Sequence, residues 1–216
     1  MKTIWFAVWL IVGISFAEET PKTMTKVEVV LQSPDVPAGS FASKPKTMFR
    51  AGSRYCRTEE VPDPEHGIHG LIIINEPDCW MINLLTKTAG HGVDPGPTFN
   101  CRLPIFPEGA LKASTDDDKK ILDLEFGREL EFFKNRGAAS KKGPVLQTKQ
   151  TIAYTLEIGS LTLGLFTYGT PEHPVAVLRQ KNGKNDIFWY SGYGQLDFDP
   201  KLFAKPENVK IEEMKP

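Results

Sequence analysis

The feature that most constrains this chain is its punctuation: apolar runs of strand length stop at Pro, Gly, Asn or Asp before nearly all of them can reach helical length. Gly70 to Asn75 reads GLIIIN, and Cys79 to Thr86, CWMINLLT, answers it across Asn75-Glu76-Pro77-Asp78, which predicts a hairpin. Asn182-Gly183 favours the positive backbone angles of a tight turn, so Val175 to Gln180 is expected to pair with Asp186 to Tyr193. Thr25 to Gln32, Ser53 to Glu60, Gln150 to Ile158 and Leu161 to Tyr168 read as further strands, and Thr88 to Val93 as a third strand after the first hairpin. Lys46 to Arg50 reads as a strand joined to Ser53 to Glu60 by a turn or a kink at Ala51-Gly52. Lys141-Lys142-Gly143-Pro144 reads as a linker.

Helix has one foothold. Ser114 or Thr115 supplies a cap, Asp116, Asp117 and Asp118 favour a positive N-terminus, and Leu122, Phe126, Leu130 and Phe133 fall on one helical face before Gly137 ends it. Gly127 weakens the middle, and Ile121 to Phe126 also alternates as a strand does. The prolines at 95, 97, 104 and 107 exclude a regular helix from the block 94 to 107. The expected fold class is therefore α+β, mainly β: a curved antiparallel sheet, or half-barrel, with one main helix packed on it.

Met1-Lys2 gives a short basic start, Ile4 to Ile14 an uncharged apolar run too short to span a bilayer, and Ser15-Phe16-Ala17 small residues where a signal peptidase reads. Residues 1 to 17 are expected to be a cleaved signal peptide, so that no stable membrane span remains and the mature protein is periplasmic or secreted. Residues 18 to 216 are enough for one domain with its own core. Without Lys2 the mature chain carries 25 basic and 27 acidic residues, a balance with no nucleic-acid footprint. Cys56, Cys79 and Cys101 allow one disulfide plus a free thiol, or three core thiols, and the sequence does not choose the pair. A bond from Cys56 to Cys101 would close a loop of about 45 residues, for roughly 4 kcal/mol by loop entropy.

Enzyme signatures are missing: there is no G-x-S-x-G elbow, no H-E-x-x-H and no phosphate loop. The expectation leans to a non-enzyme with no catalytic residue, metal or cofactor. His66, His69 and His91 are the metal or hydrolase alternative, but Pro64, Gly67 and Gly70 break any helix that would align the first two, and a strand would turn them to opposite faces. Arg50, Arg54 and Arg57 could receive an anion or lie on a solvated sheet surface. The strands carry more large apolar side chains than one helix can cover, so either loops fill the concavity or it holds an apolar ligand.

The hairpin Gly70 to Thr88 with its Trp-bearing second strand, the segment Met48 to Arg57, and the ending with Asp199-x-x-Leu202-Phe203-x-x-Pro206 resemble the periplasmic lipoprotein-carrier superfamily, the LolA- and LolB-like proteins. That resemblance implies an exported, non-enzymatic carrier or sensor holding an acyl chain or other apolar ligand in the hollow of the sheet. The lining residues expected are Trp80, Ile82, Leu84, Leu163, Leu165, Phe188 and Tyr190. The alternative is an exported scaffold with no small ligand, binding an envelope protein through an edge strand or the Pro-rich loop 94 to 107.

Overall fold

The computed structural model describes residues 20–37, 40, 43–96, 98–106 and 115–213. The expected leader over residues 1 to 17, Ser114, Pro97 and Pro107 lie outside the described residues.

Among the described residues twelve strands form one open sheet: β1 (Thr23–Gln32), β2 (Lys46–Ala51), β3 (Tyr55–Glu60), β4 (Gly70–Asn75), β5 (Asp78–Asn83), β6 (Thr88–Val93), β7 (Ser140–Leu146), β8 (Lys149–Ile158), β9 (Leu161–Tyr168), β10 (His173–Lys181), β11 (Lys184–Asp197) and β12 (Lys210–Glu213). Their order is β12-β6-β5-β4-β3-β2-β1-β11-β10-β9-β8-β7, and the sheet is not closed into a barrel. Two antiparallel meanders, β2 to β6 and β7 to β11, meet at β1, which pairs with β2 on one side and β11 on the other. β12 pairs with β6 in parallel, the one such pair among the described residues.

The expected hairpins follow their turn chemistry. Asn75 pairs with Asp78 across Glu76-Pro77, and Lys181 with Lys184 across Asn182 and Gly183, whose φ of 50° and 76° are the left-handed pair a two-residue turn requires. Register shifts at Glu28/Val29, Lys142/Val145 and Pro174/Ala176 bend the strands and raise the local twist. The stretch Lys141 to Pro144, expected as a linker, belongs to the edge strand β7. Its partner β8 supplies what the linker reading left out, a ladder for Lys141 and Lys142.

The single long helix is corrected to two short ones, α1 (Asp116–Lys119) and α2 (Glu129–Asn135). Between them the backbone leaves the helix. Pro104 bridges Glu125, Ile105 N donates to Leu124 O at 2.9 Å, Phe126 N to Leu103 O at 2.9 Å, and Gly127 turns with φ 81°. The strand-like alternation of Ile121 to Phe126 thus competes successfully with the helical stripe, because a neighbouring extended segment is there to pair with it. Thr115 caps α1 in a capping box with Asp118, and Gly137, with φ 73°, ends α2.

Alternation and register assign the core. Tyr193, Val27, Met48, Thr58, Ile72, Met81 and Gly90 stand in one cross-strand row, on the face of the sheet that carries α2, here called the inner face. Over the second meander and β1 that face is filled: Ile105, Phe106, Ile121, Leu124, Phe126, Phe132 and Phe133 pack on Val27, Val29, Leu163, Leu165, Val177, Phe188 and Tyr190. Over the first meander the apolar cover lies on the outer face instead. Leu71, Ile73, Trp80, Ile82 and Ala89 pack there with Val209 and Ile211, and Met24 and Ala51 with Phe203. The ending Asp199 to Pro206 supplies part of this cover: Asp199 caps a 3-10 turn over Pro200–Phe203, and Phe203, with no exposed surface, stacks on Phe198 at 5.6 Å.

Candidate functional site

The seven lining residues expected from sequence divide between the two faces. Leu163, Leu165, Phe188 and Tyr190 face inward and are 0%, 0%, 7% and 4% exposed, covered by Phe106, Phe126 and Phe133. Trp80 and Ile82 face outward, 5% exposed each, with Leu84 packed beside them. One residue of register separates the two sets, which is the decision that apolar composition alone cannot make. In the second meander loops and helices fill the concavity.

Where that filling ends, the inner face opens. A groove of about 640 Å³ lies over β3 to β6, and its floor is the continuation of the core row: Thr58, Ile72, Met81 and Gly90. Met81 is 48% exposed and Ile68 38%, although Met48, two strands beyond Ile72 in the same row, is 3% exposed. Gly70 and Gly90 bring no side chain to the floor. Glu60 forms part of its wall, and Glu212 and Glu213 reach it from β12.

The boundary between the filled and open regions is fixed covalently and by charge. Cys56 on β3 and Cys101 form a disulfide, leaving Cys79 as a free thiol whose pKa is raised by burial. Arg50 pairs with Glu125, both 6% exposed at the side chain, and donates to Cys101 O at 2.8 Å. Cys101 N donates to Ser53 O at 2.7 Å, and Arg54 lies over Phe99 at 4.9 Å. The Pro-rich segment is therefore packed down around Cys101, Ile105 and Phe106, each buried. Arg50 is committed to this network, and Arg57 donates to Leu202 O at 3.0 Å and to Glu59, so neither stands as an open anion receptor.

Three other groups of ionisable side chains were candidates for chemistry. Glu129, 1% exposed, accepts from Tyr190 Oη at 2.7 Å and from Gly127 N at 2.8 Å, and burial raises its pKa to about 7. It lies in the filled core beside Tyr190 and lines neither the groove over β3 to β6 nor a second one around Arg57. His91 is held between Asp78, at 2.7 Å, and Glu213, at 2.9 Å, and stacks on Trp80; hydrogen bonds to Glu213 and Asp78 raise its pKa. His66 pairs with Asp63 and His69 with Glu59, and no group of three metal-ligating side chains occurs among the described residues.

The edges show how docking through a strand would stand. β7 carries Lys141, Lys142 and Pro144 and a register shift, features that hinder pairing with a further strand. β12, the opposite edge, is four residues long and carries three charges. No helix among the described residues is long and apolar enough to cross a membrane.

No known protein family and no curated protein matches the chain. Among solved structures, an uncharacterized conserved protein from Thermus thermophilus is similar over 89% of this chain and 91% of its own, at 10% identity and a TM-score of 0.50, a likeness of fold alone. A LolA superfamily protein from Nitrosomonas europaea is similar over 86% of this chain and 91% of its own, at 10% identity and a TM-score of 0.32. A superposition at that level fixes no common layout.

Proposed function

We propose that the protein is an exported, non-enzymatic carrier or sensor of an apolar ligand, and that the ligand lies in the inner-face groove over β3 to β6. The observation that carries this reading is the contrast within one row: Met48 is 3% exposed and Met81 48%, on the same face of the same sheet. A volume of about 640 Å³ is within the range of small-molecule sites, and each methylene removed from water there would contribute about 0.8 kcal/mol. The resemblance of the sequence to lipoprotein carriers points the same way. Leu163, Leu165, Phe188 and Tyr190 would join the site only if Phe106 and Phe126 left it, while Trp80, Ile82 and Leu84 support the floor from behind.

A scaffold role through the edge strand or the loop 94 to 107 has less to recommend it. β7 is guarded by charge and proline, and the described part of the loop spends its apolar side chains on the core.

The test is native mass spectrometry with lipid extraction on protein purified from the exported fraction of its expressing cell. A co-purifying acyl compound, lost in the double variant Ile72→Asn, Met81→Gln while the fold is retained, is the expected result. A bare-chain mass together with no binding of an added fluorescent fatty acid would sink the reading.

A further inference from the structure

We propose that the outer face of the second meander is the docking surface for a second copy of this chain, packed sheet on sheet about a two-fold axis. The inference stands apart from the carrier reading, whose groove lies on the other face and in the other meander.

Register brings six apolar side chains together there. Val30, Trp189, Ala176 and Phe166 form one row across β1, β11, β10 and β9, and Ile187 and Leu178 pair in the next row. Each follows or precedes a residue of the inner-face core, namely Val29, Phe188, Val177 or Leu165, so alternation turns it outward. None of the six belongs to that core or to the two clusters under the C-terminal segment, and all but Ala176 are part-exposed. The first meander covers its outer face with its own chain. Here the apolar rows have no such cover among the described residues.

Shape narrows the choice of occupant. Ala176, between Trp189 and Phe166, is 1% exposed, and a methyl added at Gly164 would meet Phe166 at 3.4 Å and Leu178 at 3.5 Å. The large side chains therefore close over the small ones between them. Neither the groove over β3 to β6 nor the one around Arg57 includes any of the six. A ligand of small-molecule size needs a cleft, whereas a surface without one suits a broad partner.

Charge narrows it further. The residues that border the two rows by register are Gln32, Thr155, Thr162, Gln180 and Asn185, all uncharged. Of the charged side chains farther out, Glu157 accepts from Thr162 Oγ1 at 2.7 Å, Lys149 lies over Tyr168 at 3.7 Å, and Glu28 pairs with Lys26 at 2.6 Å. An anionic lipid surface would find no basic row to hold it. A second copy sets apolar side chains against apolar ones and amides against amides, and a two-fold axis through the patch brings no like charges together at its centre.

The size fits a reversible dimer. Strands β1, β9, β10 and β11, about 4.8 Å apart, carry the two apolar rows and the rows beside them over a footprint of roughly 500 Å² per copy. The two copies together bury about 1,000 Å², near the lower limit for a specific interface, so association is expected to be weak.

Sedimentation velocity from about 1 μM to about 500 μM, with hydroxyl-radical footprinting read at Trp189, tests the inference. The expected result is a monomer–dimer equilibrium with a Kd on the order of 10 μM, Trp189 being oxidised in the dilute sample and protected in the concentrated one. Leu178→Lys should weaken the dimer by about tenfold or more. Gln180→Lys, at an exposed position, should weaken it by about threefold in a salt-dependent way, because each copy then carries a like charge, and it keeps the test readable where Leu178→Lys does not fold. A monomer throughout the range overturns the inference, as does a dimer that both variants leave unchanged. Trp189 already protected in the dilute monomer would assign the cover to a segment of this chain, and binding to phosphatidylcholine vesicles that Leu178→Lys abolishes would assign it to a lipid surface. Either outcome overturns the choice of a second copy. Ligand binding in the inner-face groove is read by other means, so the carrier reading stands or falls separately.

Discussion

The two meanders solve the same problem in opposite directions. The second, with β1, buries its inner face under α2 and the segments around Phe106 and Phe126, and leaves its outer face to residues such as Thr155, Glu157 and Thr162. The first buries its outer face under the C-terminal segment and leaves part of its inner face as the groove. Among the described residues each meander has its apolar cover on a different face, so the changeover near β2 and β3 sets where the groove lies. The disulfide and the Arg50–Glu125 pair stand at that changeover.

The comparison breaks most severely if the filling is removed. Phe133, with no exposed surface, lies between α2 and the sheet, and Phe133→Ala should cost about 3–5 kcal/mol in a urea titration, since the cavity it leaves cannot collapse. Opening the boundary comes next: Cys101→Ser removes a bond between residues 45 apart in sequence and should cost about 2–4 kcal/mol, with increased hydrogen exchange in residues 98 to 106.

A pH series distinguishes the buried carboxyl from those of the groove. The pKa of Glu129 rises to about 7 in the folded state because burial disfavours its charge. A raised folded pKa means stability that is fully present below the unfolded value, about 4.5, and lost as pH rises through about 7. Glu129→Gln should therefore remove this part of the pH dependence and raise stability at pH 8 by on the order of 2 kcal/mol, read as a shift in the urea midpoint. The smallest effect is expected at the open end of the row: Met81→Gln should change stability by less than about 0.5 kcal/mol, and a larger loss would show that the groove is closed core.

Local chemistry was legible in the sequence, and the choice of face was not. Asn182-Gly183 and Glu76-Pro77 announce their hairpins because a two-residue turn depends on the residues within it. Trp80 and Phe188 both announce burial, but alternation has a period of two and says only that neighbours part, never which of them meets the helix. The register that separates Trp80 from Met81 is set by β3, β4 and β6 together. The helical stripe at Leu122 to Phe133 misled for a related reason: Leu103 and Pro104, distant in a pattern of threes and fours, offer Glu125 and Phe126 an extended partner. Glu60 carries no signal at all, since a carboxylate ending a strand usually lies in water.

The belt from Phe198 to Ile211 has a consequence for how the molecule is made. Leu71, Ile73 and Trp80 are covered by Val209 and Ile211, which follow Trp80 by about 130 residues in the order of synthesis. Until Val209 and Ile211 emerge, the outer face of the first meander is an uncovered apolar surface of the kind chaperones hold and aggregates grow from. A chain cut short before Phe198 would keep that surface uncovered, so the solubility of everything made before it depends on the segment from Phe198 to Ile211.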